Sequence, residues 1–167
     1  MPWPKNYLIQ FILFQMQWWC CVLGAKYSFV WPAIVLVIAI WLIEFFTLRW
    51  RWPQIRTILL GTLLGVFLDS AQTFLGIITF PTTSLILKYL IPVWLIMLWL
   101  AFNGWVFISS WLKAHKILVS LCTLVLAPAS YWAGSQLNVI DLPYGLLSLC
   151  SIAACWTLLI NLVLRWI

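Results

Sequence analysis

Apolar runs long enough to form membrane helices follow one another along the chain, separated by short stretches that carry most of the charge. A helix of about 20 mostly apolar residues crosses the hydrocarbon core of a bilayer. The pattern predicts six transmembrane helices, at residues 6–24, 28–48, 56–79, 89–112, 116–137 and 143–165. The first run exceeds the apolar core of about 7–15 residues in a signal peptide, so we expect it to remain in the protein.

The short connections between these runs favour antiparallel neighbours, and the predicted fold is an all-α bundle of six transmembrane helices. The composition fits a chain whose solvent is lipid. Hydrophobic residues make up 66% of the 167 residues and charged residues only 7%, whereas soluble domains average about 45–50% and about 25%. Because no stretch is long and polar enough for a separate soluble domain, residues 1–167 are predicted to form one transmembrane domain.

The basic residues predict the orientation of these helices. If the N-terminus is cytoplasmic, seven basic residues face the cytoplasm and two face the other side. The seven are Lys5, Arg49, Arg51, Arg56, Lys113, Lys116 and Arg165, and the two are Lys26 and Lys88. Cytoplasmic loops carry an excess of Lys and Arg, so both termini are predicted to be cytoplasmic. The basic residues are scattered rather than gathered on one face, and a nucleic-acid partner is not expected.

The third predicted helix carries a carboxylate near its middle, in the stretch LLGTLLGVFLDSAQTFLG at residues 59–76. At 1.5 Å per residue, Asp69 lies ~20 Å from Arg56, which is near the bilayer midplane. An acid at that depth costs at least about 2.5–3.5 kcal/mol on insertion scales. We therefore expect Asp69 to face the interior of the bundle, to be protonated, or to have a partner.

Small and polar residues share the helix face that carries this acid. Five of them recur at intervals of four, four, four and three: Gly61, Gly65, Asp69, Thr73 and Gly76. Gln72 lies beside them. Glycines four residues apart let a second backbone approach closely. We predict four helix-packing glycines, of which the last lies in the fourth helix: Gly61, Gly65, Gly76 and Gly104.

The candidate partners of Asp69 are neutral, because no lysine or arginine lies at its depth. Asn103 lies near the centre of the fourth predicted helix. Tyr131 follows a predicted break at Pro128, where the proline frees a backbone carbonyl. The candidate intramembrane polar site consists of Asp69, Gln72, Asn103 and Tyr131. Two interpretations stay open: a buried acid that hydrogen-bonds a neighbouring helix, and a site for a substrate, an ion or a proton.

The other polar and aromatic residues have structural interpretations. We expect Glu44 to reach an interfacial salt bridge with Arg49 or Arg51. Asp141 is expected to cap the sixth helix. A small-residue stripe on that helix, Ser148, Ser151 and Cys155, indicates close packing. The tryptophans expected to be packing residues deep in the helices are Trp41, Trp99, Trp105 and Trp156.

The sequence holds little catalytic chemistry. Its five cysteines form no CxxC pair and its one histidine is far from most of them, so no disulfide framework, metal site or cofactor is predicted. Three acids and one histidine offer few acid–base pairs, and HExxH, GxSxG and phosphate-binding glycine loops are absent. The sequence therefore predicts no catalytic residues and favours a protein that is not an enzyme.

Helices three to five carry four segments in a fixed order: LGVFLDS, FP, PVWLIMLWLAF and APASYWAG. This order resembles the bacterial membrane family catalogued as domain of unknown function 2878. The most specific runs are Pro92-x-Trp94…Trp99…Phe102 and Pro128-x-x-Tyr131-x-x-Gly134. The family often has N-x-S near the end of helix four. Here Phe107-Ile108-Ser109 stands there, so no role of that asparagine is carried over.

The resemblance implies a multi-pass protein of the bacterial inner membrane without an established activity. It also implies a link to lipid metabolism, since genes of the family often neighbour those for cyclopropane-type fatty-acid modification. Three functions stay open: a non-enzymatic subunit linked to lipid modification or envelope maintenance, a small-molecule binding or transport subunit with a site around Asp69, and a membrane enzyme acting on lipid. The expected partners are the lipid bilayer and a membrane protein or a second copy of the chain.

Overall fold

A computed structural model describes residues 7–81 and 91–166 of the chain. Within these ranges the regular structure is helical, apart from an isolated antiparallel bridge between Thr79 and Asp141. The helices are α1 (Tyr7–Lys26), α2 (Trp31–Leu48), α3 (Trp52–Phe74), α4 (Val93–Ile108), α5 (Ser110–Ala114), α6 (Lys116–Gln136) and α7 (Leu146–Trp166). The prediction of an all-α fold is confirmed.

Five of these helices are long and apolar enough to cross a membrane: α1, α2, α3, α6 and α7. The predicted fourth span, residues 89–112, contains α4, which ends at Ile108, before the predicted limit. The 16 residues of α4 rise about 24 Å, less than the ~30 Å of the hydrocarbon core. The short helix α5 follows it. Residues 89 and 90 of that predicted span, and the basic residues Lys5 and Lys88, lie outside the described residues. Crossing by α4 and the orientation of the termini stay predictions.

The third helix ends earlier than its predicted limit at residue 79. Gly76 N donates to Thr73 O at 3.0 Å and Ile77 N donates to Gln72 O at 2.9 Å. These two hydrogen bonds form a Schellman motif, which requires a left-handed residue after the helix. Gly76 supplies it with φ of 69°. The predicted end was wrong because Gly76 terminates the helix instead of continuing its face.

The chain divides into two compact units. The described residues of the first unit are 7–63 and 93–113, and those of the second are 64–81, 91–92 and 114–166. In the first unit α1 packs against α2 and α4, and α2 packs against α4; in the second α6 packs against α7. Because α3 runs without a break from one unit into the other, the prediction of a single domain is neither confirmed nor contradicted.

Exposure on α3 is opposite to that of a helix in a water-soluble protein. Phe67 is 72% exposed, whereas Asp69, two residues later, is fully buried. Large apolar side chains are exposed along the other long helices as well, including Phe46 of α2 and Ile117 of α6. Apolar surface of this extent is unfavourable in water but not in lipid. The distribution supports a multi-pass membrane protein.

Candidate functional site

The face of α3 that carries Asp69 is buried along most of its length. The buried residues on it are Ile58, Gly61, Thr62, Gly65, Asp69, Gln72 and Thr73. Leu63, Phe67 and Phe74 are exposed. The Thr73 hydroxyl donates to the Asp69 backbone oxygen at 2.8 Å, so this polar side chain is satisfied within its own helix. The polar groups left to contact other helices are those of Asp69 and Gln72.

The Asp69 side chain is hydrogen-bonded to a neighbouring helix of the second unit. Tyr131 Oη of α6 donates to Asp69 Oδ2 at 2.6 Å, and the two side chains are 4% and 0% exposed. Trp156 Nε1 of α7 donates to Tyr131 Oη at 3.3 Å. The rings of Tyr131 and Trp156 meet edge to face, with their centroids 6.2 Å apart. Two successive hydrogen bonds therefore connect α3, α6 and α7 through the buried side chains of Asp69 and Tyr131 and the partly buried Trp156.

Helix α6 carries Tyr131 into this position without the predicted break. It runs from Lys116 to Gln136 with Pro128 inside it, and Ala127, Tyr131 and Gly134 all lie on its buried face. A Cβ at Gly134 would lie 3.0 Å from Ile140 Cδ1, so the glycine lets the following loop pack closely against the helix. The expected break at Pro128 was wrong, because the proline is accommodated within a continuous helix.

Gln72 is the second polar group of this face in the same unit. Its Oε1 accepts a weak hydrogen bond from Ser151 Oγ of α7 at 3.4 Å. Its Nε2 is buried and has no hydrogen-bond partner within the described residues. A buried donor without a partner costs roughly 1–3 kcal/mol. That nitrogen can therefore donate to an acceptor atom of a ligand.

The end of α3 is attached to the segment that precedes α7. Ser148 Oγ donates to Ile77 O at 2.6 Å and accepts from Tyr144 N at 3.3 Å. Asp141 exchanges backbone hydrogen bonds of 2.8 and 3.0 Å with Thr79. The expectation that Asp141 caps the last helix was wrong, because α7 begins only at Leu146 and Asp141 pairs through its backbone.

Asn103 of α4 lies in the first unit, where it contacts α3 at Gly61. Asn103 is buried, and its Nδ2 donates to Trp99 O at 2.9 Å. A Cβ at Gly61 would overlap Asn103 Oδ1 and lie 3.0 Å from its Cγ. Gly61 thus provides the space that this amide occupies. Of the predicted site residues, Asp69, Gln72 and Tyr131 belong to the second unit and Asn103 to the first.

Glu44 lies in an environment that the sequence did not indicate. It is 5% exposed, and it forms no hydrogen bond or ion pair within the part of the chain that the structure describes. Its Oε2 lies 3.5 Å from the position that a Gly104 Cβ would take. Arg49, which ends α2 in a left-handed conformation, and Arg51 are both exposed. The predicted salt bridge was wrong, because the carboxyl turns inward onto α4.

Two further observations concern charge and possible metal ligands. Partial burial lowers the pKa of the Lys113 ammonium in α5, and its Nζ lies 4.6 Å from the centroid of the Phe107 ring. Within residues 7–81 and 91–166, no three His, Cys, Asp or Glu side chains come together. The chemistry that the described polar cluster offers is hydrogen bonding, with one carboxyl and one phenol in direct contact.

Sequence reasoning missed the part that Trp156 plays. This residue is expected from its depth to be a packing residue, yet its N–H group is the donor that reaches Tyr131. The small polar residues Ser148 and Ser151 on the same helix were the sequence feature that could have indicated this role. Both hydroxyls form hydrogen bonds with residues of the 64–81 segment. A tryptophan on a helix whose small residues face polar neighbours is a candidate hydrogen-bond donor.

The chain belongs to the family described as protein of unknown function (DUF2878), whose model matches residues 7–162. The resemblance based on the segments of helices three to five is thereby confirmed. No curated protein and no solved structure matches the chain. The family description names no activity, so the function has to be inferred from the geometry of the buried polar residues.

Proposed function

We propose that this protein is a non-enzymatic membrane subunit that serves lipid modification or envelope maintenance through the contacts of its helix faces. The observation that carries the proposal is the 2.6 Å hydrogen bond from Tyr131 to Asp69. It supplies the intramembrane acid with a partner on a neighbouring helix, so the acid has a structural task without a substrate. The link to lipid metabolism is supported by the resemblance to the family.

The protein of this proposal lies in the bacterial inner membrane with both termini in the cytoplasm. The distribution of basic residues between the apolar runs supports that orientation. In this proposal the five long apolar helices cross the membrane and α4 makes the sixth crossing. An even number of crossings leaves both termini on the same side. The partner is a second membrane protein or a second copy of the chain, which binds an exposed apolar helix face.

One observation favours a second candidate, a small-molecule binding or transport subunit. Gln72 Nε2 is buried and lacks a partner among the described residues. In this function the ligand accepts a hydrogen bond from Gln72, and Asp69 and Tyr131 complete the site. Asn103, the remaining residue of the predicted site, belongs to the first unit and is not needed for this contact.

The lipid composition of a deletion strain tests the first proposal. We expect the deletion to change the fatty-acid or headgroup profile, and the wild-type gene to restore it. The Asp69→Asn variant is expected to restore it as well, because the amide keeps a carbonyl oxygen that accepts from Tyr131. An unchanged lipid profile in the deletion strain would exclude the proposed function in lipid modification.

Two further variants separate the candidates. Gly65→Leu places a large side chain on the buried face of α3 and is expected to abolish complementation, whereas Phe67→Leu, on an exposed position, serves as its control. If Asp69→Asn and Gln72→Leu both fold and accumulate but fail to complement, the binding function is favoured. If both complement, the structural function of Asp69 is favoured.

A further inference from the structure

The first unit contains a buried acid of its own. Glu44 of α2 is 5% exposed. None of its carboxyl atoms forms a hydrogen bond or an ion pair with a described residue. Asp69, in contrast, has the Tyr131 hydroxyl on its Oδ2. Neither the packing of the helices nor the proposed function accounts for a second buried acid that has no hydrogen bond or ion pair with a described residue.

The Glu44 carboxyl faces α4 at Gly104. The position that a Cβ of Gly104 would take lies 3.5 Å from Glu44 Oε2 and 3.7 Å from Trp41 Cδ1. Trp41 Nε1, the ring nitrogen next to that carbon, is also buried and without a hydrogen-bond partner among the described residues. Its ring meets that of Trp50 edge to face at 5.5 Å. The Glu44 carboxyl and the Trp41 ring therefore both face α4 at Gly104.

No cation compensates this carboxyl within the described part of the first unit. Helix α4 carries no ionisable side chain, and α2 carries none besides Glu44. The other ionisable groups among the described residues of this unit are Tyr7, Cys20, Cys21, Lys26, Tyr27, Arg49, Arg51, Arg56 and Lys113. None of them forms a hydrogen bond or an ion pair with Glu44.

An isolated carboxylate in apolar surroundings is strongly unfavourable, and such a group becomes neutral by taking up a proton. A neutral carboxyl is compatible with this position facing α4 at Gly104, whereas an ionised one would need water or a cation at the same place. The charge state of Glu44 and the contact between α2 and α4 are therefore coupled.

We propose that Glu44, Trp41 and Gly104 form a proton-binding site in the membrane, in which Glu44 is protonated while α2 packs on α4 and releases the proton when that contact opens. The site is separate from the Asp69 cluster and does not depend on the function proposed above. The site binds a single proton. The contact between α2 and α4 therefore responds to pH.

The sequence offers a direct measurement of this proton, because Glu44 is its only glutamate. Full-length protein made by cell-free synthesis with glutamate enriched in carbon-13 at the δ position, and reconstituted into lipid vesicles, carries one labelled carboxyl. We expect its carbon-13 resonance to have the position of a neutral acid at pH 7. A carboxylate resonance at pH 7 would overturn the proposal.

The coupling to helix packing is tested by comparing the wild type with Glu44→Gln, which has nearly the same shape and cannot ionise. Amide hydrogen exchange in residues 41–45 and 101–107 is measured for both proteins at each pH, so that the intrinsic pH dependence of exchange cancels in their ratio. We expect equal exchange at pH 7 and several-fold faster exchange in the wild type above the pH at which its carboxyl titrates. Equal exchange at every pH would exclude the release of the proton through an opening of this contact.

Discussion

Tyr131 of α6 donates a hydrogen bond of 2.6 Å to Asp69 of α3, and the two side chains are almost completely buried. Asp69 therefore has a partner across a helix–helix contact. The partner is neutral and is itself bonded to Trp156 of α7. A carboxyl that accepts a hydrogen bond from a buried phenol loses less on leaving water than an isolated one.

Removing the Tyr131 hydroxyl should destabilise the protein. Tyr131→Phe keeps the ring but deprives Asp69 Oδ2 of its donor and Trp156 Nε1 of its acceptor. The expected loss is about 1–3 kcal/mol, the cost of leaving a buried polar group unsatisfied. Thermal unfolding of the purified protein in detergent measures it. Tyr144→Phe, at an exposed tyrosine, is the matched control; equal midpoints for the two variants would disprove the structural role of the bond.

The charge of Asp69 should be dispensable, whereas its hydrogen-bond acceptor should not. Asp69→Asn keeps a carbonyl oxygen for Tyr131, so its stability is expected to stay within about 1 kcal/mol of the wild type. Asp69→Leu removes the acceptor and adds volume to a buried position, with an expected loss of about 1–3 kcal/mol. Unfolding midpoints measured in the same detergent compare the two. A loss in Asp69→Asn as large as that in Asp69→Leu would mean that the carboxylate charge is required.

Two glycines of the first unit should respond differently to alanine. At Gly61 a Cβ overlaps Asn103 Oδ1, and Asn103 cannot move away without losing its bond to Trp99 O. Gly61→Ala is expected to cost about 1–3 kcal/mol. At Gly104 the nearest atom is at an ordinary contact distance of 3.5 Å, so Gly104→Ala should be neutral or gain up to ~1 kcal/mol from helix propensity.

Thermal unfolding of both alanine variants tests this difference, and a third variant identifies its cause. In Gly61→Ala combined with Asn103→Ala the steric conflict is absent, so the double variant should lose less stability than the sum of the two single variants. Additive losses would show that the overlap with Asn103 is not what makes Gly61 necessary.

The glycine that ends α3 should be needed for its backbone conformation alone. Gly76 has φ of 69°, and a Cβ there would meet no atom within 4 Å among the described residues. Gly76→Ala is therefore expected to cost about 1–2 kcal/mol, the strain of a left-handed residue with a side chain. Gly76→Asn should cost less, since asparagine adopts this conformation more readily. If both variants unfold at the wild-type temperature, the helix end does not depend on this turn.

The sequence by itself determined the all-α class of the protein, the five helices that are long and apolar enough to cross a membrane, and the buried face of α3. These features follow from local properties, because the length of an apolar run and the spacing of Gly61, Gly65 and Asp69 along a helix do not depend on other helices. The sequence also supplied Tyr131 as a candidate partner of Asp69. It had no means of choosing between Tyr131 and Asn103, since both are polar groups at a similar predicted depth.

Only the tertiary structure decided which side chains meet. It placed Tyr131 on Asp69 and Asn103 against Gly61. It turned Glu44 onto α4 instead of toward the arginines that follow it in the chain. It also made Trp156 a hydrogen-bond donor. Such contacts depend on the rotation of each helix about its axis, which is set by the packing of all neighbours together and is not encoded in any single segment.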